Sequence, residues 1–154
     1  MSPQDLLTKI EQILEQSEAA VLGTSDSRGR CHMRWMVVIT LPDTPGRLYT
    51  FTDPASAKIG QIEEGSKAEW MLQSADFSEV INLRGAVNII DRPWAEVVEA
   101  MEDRLKRGWH PDIDLMDLVV LETVIDTAVY SRIREGTIET IHINGKWAQP
   151  QAKE

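Results

Sequence analysis

Between Ser27 and Pro42 stand Arg28, Arg30 and Arg34 with no acid among them, in a chain where 16 Lys and Arg face 25 Asp and Glu for a net charge of −9. Arg34 sits inside the run CHMRWMVVI, which reads as a strand. Its alternation places His32, Arg34, Met36 and Val38 on one face and Met33, Trp35, Val37 and Ile39 on the other. A guanidinium drawn out of water needs a carboxylate, a group of carbonyls or a bound anion. Two readings stay open: an arginine paired to some Asp or Glu, or half of an anion site. A second group, Thr52, Ser56 and Lys58, surrounds the helix start Asp53-Pro54-Ala55-Ser56. Hydroxyls, backbone N–H groups and an ammonium at a helix N-terminus suit a phosphate. An ordinary cap with a solvated Lys58 is the plain alternative.

Other chemistries find less support. The sequence has no Gly-rich phosphate loop and no H-E-x-x-H, and its Gly turns before strands open no helix, so no dinucleotide fingerprint is present. A single cysteine, Cys31, permits neither an intramolecular disulfide nor a thiolate metal cage, and reads as a small strand residue. His32, His110 and His142 lie too far apart for metal-ligand spacing. No metal site is expected and no catalytic residue is assigned. The acidic balance argues against nucleic acid or an anionic membrane as partner. No window is apolar enough to span a bilayer, and the charged N-terminal segment lacks a secretory core, so a reduced cytoplasm is the expected setting.

The elements that must position these groups follow from periodicity. Ser2-Pro3-Gln4-Asp5 opens a helix whose Leu6, Leu7, Ile10, Ile13 and Leu14 share one face. Strands are expected at Ala19–Thr24, His32–Thr40 and Leu48–Thr52, with a turn at Asp26–Gly29. A short helix follows from Asp53 to Glu64, then strands at Lys67–Gln73 and Glu79–Ile90. A third helix after Pro93 carries Trp94, Val97, Val98, Met101 and Leu105 on one stripe. The last strands are Leu118–Val124, Ala128–Ile133 and Thr137–Ile143. So many short-linked strands form an antiparallel sheet that closes into a barrel. Residues 1–144 are expected as one domain and residues 145–154 as a polar tail. Trp35 stands beside the anion-site strand, and Trp70, Trp109 and Trp147 are candidates for a dimer interface or a ligand.

Taken together, CHMRWMVVI, LYTFTDPASAK followed by Ile59-Gly60-Gln61-Ile62, and INLRGAVNIID resemble the FMN-binding split-barrel family of pyridoxamine phosphate oxidase and the smaller general-stress-type proteins. The resemblance is good from Ala19 to Asp91 and loose from there to Ile133. It implies a mainly β (α+β), six-stranded-type antiparallel split β-barrel with flanking helices, assembled as a homodimer with FMN at the subunit interface. Arg34, Trp35, Met36 and Val37 would form the strand element of the flavin site. Phe51, Thr52, Ser56 and Lys58 would form its phosphate clamp. Arg84-Gly85-Ala86 matches a structural segment. The chain lacks the oxidase's C-terminal Arg and His substrate segment. Where small members carry a late-strand tryptophan near the partner's flavin, Tyr130 is the nearest aromatic. The resemblance therefore implies a flavin-dependent oxidoreductase acting on an unassigned small molecule. The alternatives are a non-catalytic FMN-binding or stress-related module, and a related barrel using deazaflavin or haem.

Overall fold

The computed structural model describes residues 1–17, 19–53, 55, 59, 62, 66–90, 95–106 and 118–143. In chain order these form α1 (Pro3–Ser17), β1 (Ala19–Ser25), β2 (Cys31–Val37), β3 (Arg47–Thr52), β4 (Ser66–Gln73), β5 (Glu79–Ile90), α2 (Ala95–Lys106), β6 (Val119–Arg132) and β7 (Thr137–His142). The helix expected from Asp53 to Glu64 and the tail expected at residues 145–154 lie largely or wholly outside the described residues. So do Trp94, Trp109 and Trp147.

α1 begins as its sequence demands. Asp5 N donates to Ser2 Oγ and Ser2 N donates to Asp5 Oδ2, both at 3.1 Å, so each residue satisfies the other's orphan donor. Leu6, Ile10, Ile13 and Leu14 are buried against the sheet. At its far end the Leu14 carbonyl accepts from Arg104 of α2 at 2.8 Å.

The strands run in the order β2-β1-β4-β5-β6-β3, with β7 added on β6, and every pairing is antiparallel. β1 and β2 form a hairpin whose turn is tied by Asp26, Oδ1 of which accepts from Arg28 N at 2.9 Å and Arg30 N at 3.0 Å. Gly29, at φ 79°, supplies the left-handed residue that this reversal requires. The barrel closes where Ile39 and Tyr49 exchange two backbone hydrogen bonds of 2.9 Å. β3 therefore takes its ladder from β6 and only a single bridge from the chain after β2.

Two of the expected strands prove to be one. Leu118–Val124 and Ala128–Ile133 merge into β6, which pairs with β5 along its whole length across a bulge. Arg84 faces Thr127 and Gly85 faces Ile125, so Asp126 is the extra residue. Gly85 approaches β6 so closely that a Cβ would stand 2.1 Å from the Val124 carbonyl oxygen.

The strands bury two cores. The barrel interior holds Leu22, Leu48, Trp70, Leu83, Ile125 and Tyr130 among others, with α1 packed against it. The second core lies outside the barrel wall, where Val97, Met101 and Leu105 of α2 cover Tyr49, Phe51 and Val120. Trp70 is no interface residue: it is fully buried and its Nε1 donates across the barrel to Thr123 Oγ1 at 2.9 Å. Tyr130 also faces inward, donating to Glu79 Oε1 at 2.7 Å, so its ring cannot wall a partner's ligand.

Two measurements check this architecture. Gly85→Ala should lower the unfolding free energy by about 1–3 kcal/mol, because its methyl meets fixed backbone. Gly23→Ala should be neutral or add up to about 1 kcal/mol, since its Cβ would make only ordinary contacts at 3.5 and 3.9 Å. Urea denaturation of both variants separates the cases. In the β4–β5 turn, the hydroxyl and amide of Ser78, with Ser74, hold the Asp76 carboxyl down at about 2. The stabilisation is complete above the ordinary carboxyl value near 3.8 and is lost as pH falls through about 2. The protection factors of the turn amides, corrected for intrinsic exchange, should fall as pH drops over that interval and be flat above it.

Candidate functional site

The seam that closes the barrel is short, and this shapes the site. Beyond Ile39–Tyr49 the two strands are joined by a side chain, Thr50 Oγ1 donating to the Val37 carbonyl at 2.5 Å. Extending the antiparallel register from the bridge would set Val37 against Phe51 and Met36 against Thr52. No ladder forms there among the described residues. The result, among the described residues, is a cleft in the hydrogen-bond ladder, between the edge of β2 and the end of β3. Backbone direction alternates along a strand, and Ile39 and Val37 both turn towards β3. The N–H and C=O of Trp35 therefore face the cleft as well, whereas those of Arg34 and Met36 serve the β1 ladder.

Six of the eight residues expected at the site fall on these two edges: Arg34, Trp35, Met36 and Val37 on β2, Phe51 and Thr52 on β3. Ser56 and Lys58 lie outside the described residues. The strand parity read from the sequence holds. Met36 packs on the barrel core, Val37 on the core under α2, and the Trp35 ring projects outward, 69% exposed. The Phe51 ring is buried with Val97, Met101 and Val120. Thr52 is buried. Met36, Val37 and Phe51 thus have packing roles, and of these Val37 and Phe51 turn their backbones towards the cleft, whereas that of Met36 serves the β1 ladder.

Arg34 differs from all of them. It lies half-buried beside Leu22 and donates through NH1 to Thr24 Oγ1 at 2.8 Å. Burial pulls its pKa down from the usual arginine range. No carboxylate of a described residue forms an ion pair with it, whereas Arg47, Arg84, Arg132 and Arg134 all have one. Its neighbour on the same face, His32, is paired to Asp26 at 3.0 Å. Of the two readings that the sequence left open, pairing to an acid finds no partner among the described residues. No cluster of metal-ligating side chains occurs among them either. None of their helices is long and apolar enough to cross a membrane.

A closed antiparallel barrel with a split seam, a helix-covered flank and a cationic strand edge defines the class as a split β-barrel. The sequence matches the family model for pyridoxamine 5'-phosphate oxidase over residues 6–131, and the chain belongs to that family. Among solved structures it is similar to a Clostridium acetobutylicum protein related to general stress protein 26 of B. subtilis. The TM-score is 0.68 at 15% identity, covering 94% of this chain and 99% of that one. It is also similar to a pyridoxamine 5'-phosphate oxidase-related, FMN binding protein from Nostoc punctiforme, with TM-score 0.64 at 19% identity and coverage of 94% and 98%. An F420 reductase matches with TM-score 0.61 at 18% identity, covering 79% of this chain and 95% of that one. These likenesses establish the common fold. No curated protein matches the sequence.

A half-buried cation without an acid partner contributes little to folding, so Arg34→Met should leave the unfolding free energy unchanged or higher. A loss above about 1.5 kcal/mol in urea denaturation would show instead that the bond to Thr24 makes Arg34 a structural residue.

Proposed function

We propose that this protein is an FMN-binding oxidoreductase acting on a small molecule, working as a homodimer in the cytoplasm. The observation that carries this reading is Arg34: a half-buried guanidinium on β2 whose described partner is a neutral hydroxyl and which forms no ion pair with a described acid. Such a group matches a bound anion. The donor set fits a flavin phosphate, because Arg34 and Thr52 are joined in the sequence by Ser56 and Lys58, which complete the family's pattern.

Bound FMN would supply the redox chemistry through its ring. The chain's part is to bind and orient. Arg34 and Lys58 neutralise the phosphate, and Thr52 and Ser56 offer it hydroxyls. The backbone of the β2 edge at Trp35 would meet the polar rim of a planar ring. Met36, Val37 and Phe51 hold both edges rigid through the two cores. No side chain is assigned as general acid or base.

The absorption spectrum of the purified protein, alone and with added FMN, tests the cofactor. Flavin bands support the reading. A deazaflavin band would move the cofactor to the class named for the F420 reductase relative. Replacing both Arg34 and Lys58 by Ala should weaken FMN binding by about 1.5–3 kcal/mol for each charge-assisted hydrogen bond removed. FMN titration measures this, and wild-type affinity in the double variant would overturn the clamp. Bleaching of the flavin by a nicotinamide donor would support turnover, whereas an FMN-loaded protein inert to donors and acceptors would be a binding module.

A further inference from the structure

Thr24 is a polar residue where an apolar one would serve. It lies within β1 at 6% exposure, so its hydroxyl has left water. Burying an unbonded hydroxyl costs free energy, and valine has the same shape and suits a strand at least as well. The hydroxyl's one described partner is Arg34, whose NH1 donates to Thr24 Oγ1 at 2.8 Å. The two residues are not opposite one another in the hairpin: Arg34 faces Leu22, and Thr24 faces His32. The bond is therefore diagonal, and the arginine side chain leans along the strand towards the turn to make it. A guanidinium is planar and rigid, so one bond at NH1 fixes the direction of the whole fork. Among the described residues its Nε and NH2 have no partner.

A second observation concerns the acid that could have neutralised this charge. Asp26 is the acid nearest to Arg34 in the sequence and follows Thr24 by two residues. Both of its oxygens are engaged elsewhere. Oδ1 accepts from Arg28 N and Arg30 N in the turn, and Oδ2 pairs with His32 Nε2 at 3.0 Å. The carboxylate is held by the turn and the histidine, while a neutral hydroxyl takes the guanidinium.

We propose that Thr24 is a positioning residue: its hydroxyl holds the Arg34 guanidinium in one orientation and leaves the charge and the remaining donors for an anion. The inference rests on the FMN reading above, in which that anion is the flavin phosphate, and adds a residue that acts through Arg34. A carboxylate in the same place would fix the fork equally well but would also neutralise it. A hydroxyl fixes without neutralising. An untethered arginine would lose its rotamer freedom when the anion binds, a cost that prior fixing removes.

The test is titration with FMN of the wild type, Thr24→Val, Thr24→Ser, Arg34→Met and the double variant Thr24→Val with Arg34→Met. Thr24→Val keeps the shape and removes the acceptor, whereas Thr24→Ser keeps the acceptor and removes the methyl. Thr24→Val should weaken FMN binding roughly tenfold or more, the size of a lost hydrogen bond to a charged group. Thr24→Ser should stay close to the wild type. In the Arg34→Met background Thr24→Val should change the affinity little, because the residue it acts through is gone. A wild type that binds no FMN would overturn this inference and the FMN reading together. Three results would keep the FMN reading and overturn the positioning role. They are full affinity in Thr24→Val, an equal loss in Thr24→Ser, and an equal loss from Thr24→Val when Arg34 is absent.

Discussion

The absence of a Cβ at Gly85 is the constraint on which the rest of the fold depends. With a carbonyl oxygen of β6 where that atom would stand, β5 and β6 can approach only at a glycine, and the ladder passes this point by gaining one residue, Asp126. The bulge is also where β6 changes partners. Just before it Ile125 N bonds the Gly46 carbonyl ahead of β3, and at it the Asp126 carbonyl accepts from Ile143 N beyond β7. One strand thereby closes the barrel with its first half and carries an extra hairpin with its second. Bulges increase local twist, and a closed sheet needs that twist somewhere.

Closure by a short seam has a chemical consequence. The Ile39–Tyr49 bridge and the Thr50 side chain are the only bonds from described residues of the β3 segment to this edge, so among the described residues no ladder covers β2 beside its half-buried cation. Backbone lines the β2 edge beside one guanidinium, and of the side chains around them Met36, Val37 and Phe51 belong to the two cores while the Trp35 ring is exposed. Such a site constrains side-chain identity weakly. This accords with a fold shared at 15–19% identity with the stress-protein and FMN-binding relatives. It also explains why Arg34 stands out: it is the one charged residue in a strand otherwise chosen for packing.

Much of this was legible in the chain because it is local. The Ser2–Asp5 capping box, the apolar face of α1, the Asp26–Gly29 turn and the parity of β2 each depend on residues within one or two turns of one another. The errors share a different cause. The expected strands Leu118–Val124 and Ala128–Ile133 leave a break at residues 125–127, but a bulge between Arg84 and Gly85 absorbs Asp126 and leaves one strand. Trp70 read as a candidate for a dimer interface or a ligand, and Tyr130 as the aromatic nearest the relatives' late-strand tryptophan. Alternation reveals that a strand has two faces and not which of them is enclosed. Both rings point inward, to Thr123 and Glu79, residues 53 and 51 positions away.

The sequence by itself determined the cationic strand, the family, and the order of nearly all the described elements, because composition, spacing and period are properties of neighbours. Only the tertiary structure decided which edges stay unpaired and which rings are buried. It also showed that Arg34 has no described acid to neutralise it. Those depend on where β6 bends and where the barrel closes, contacts between residues far apart in the chain that no local pattern encodes.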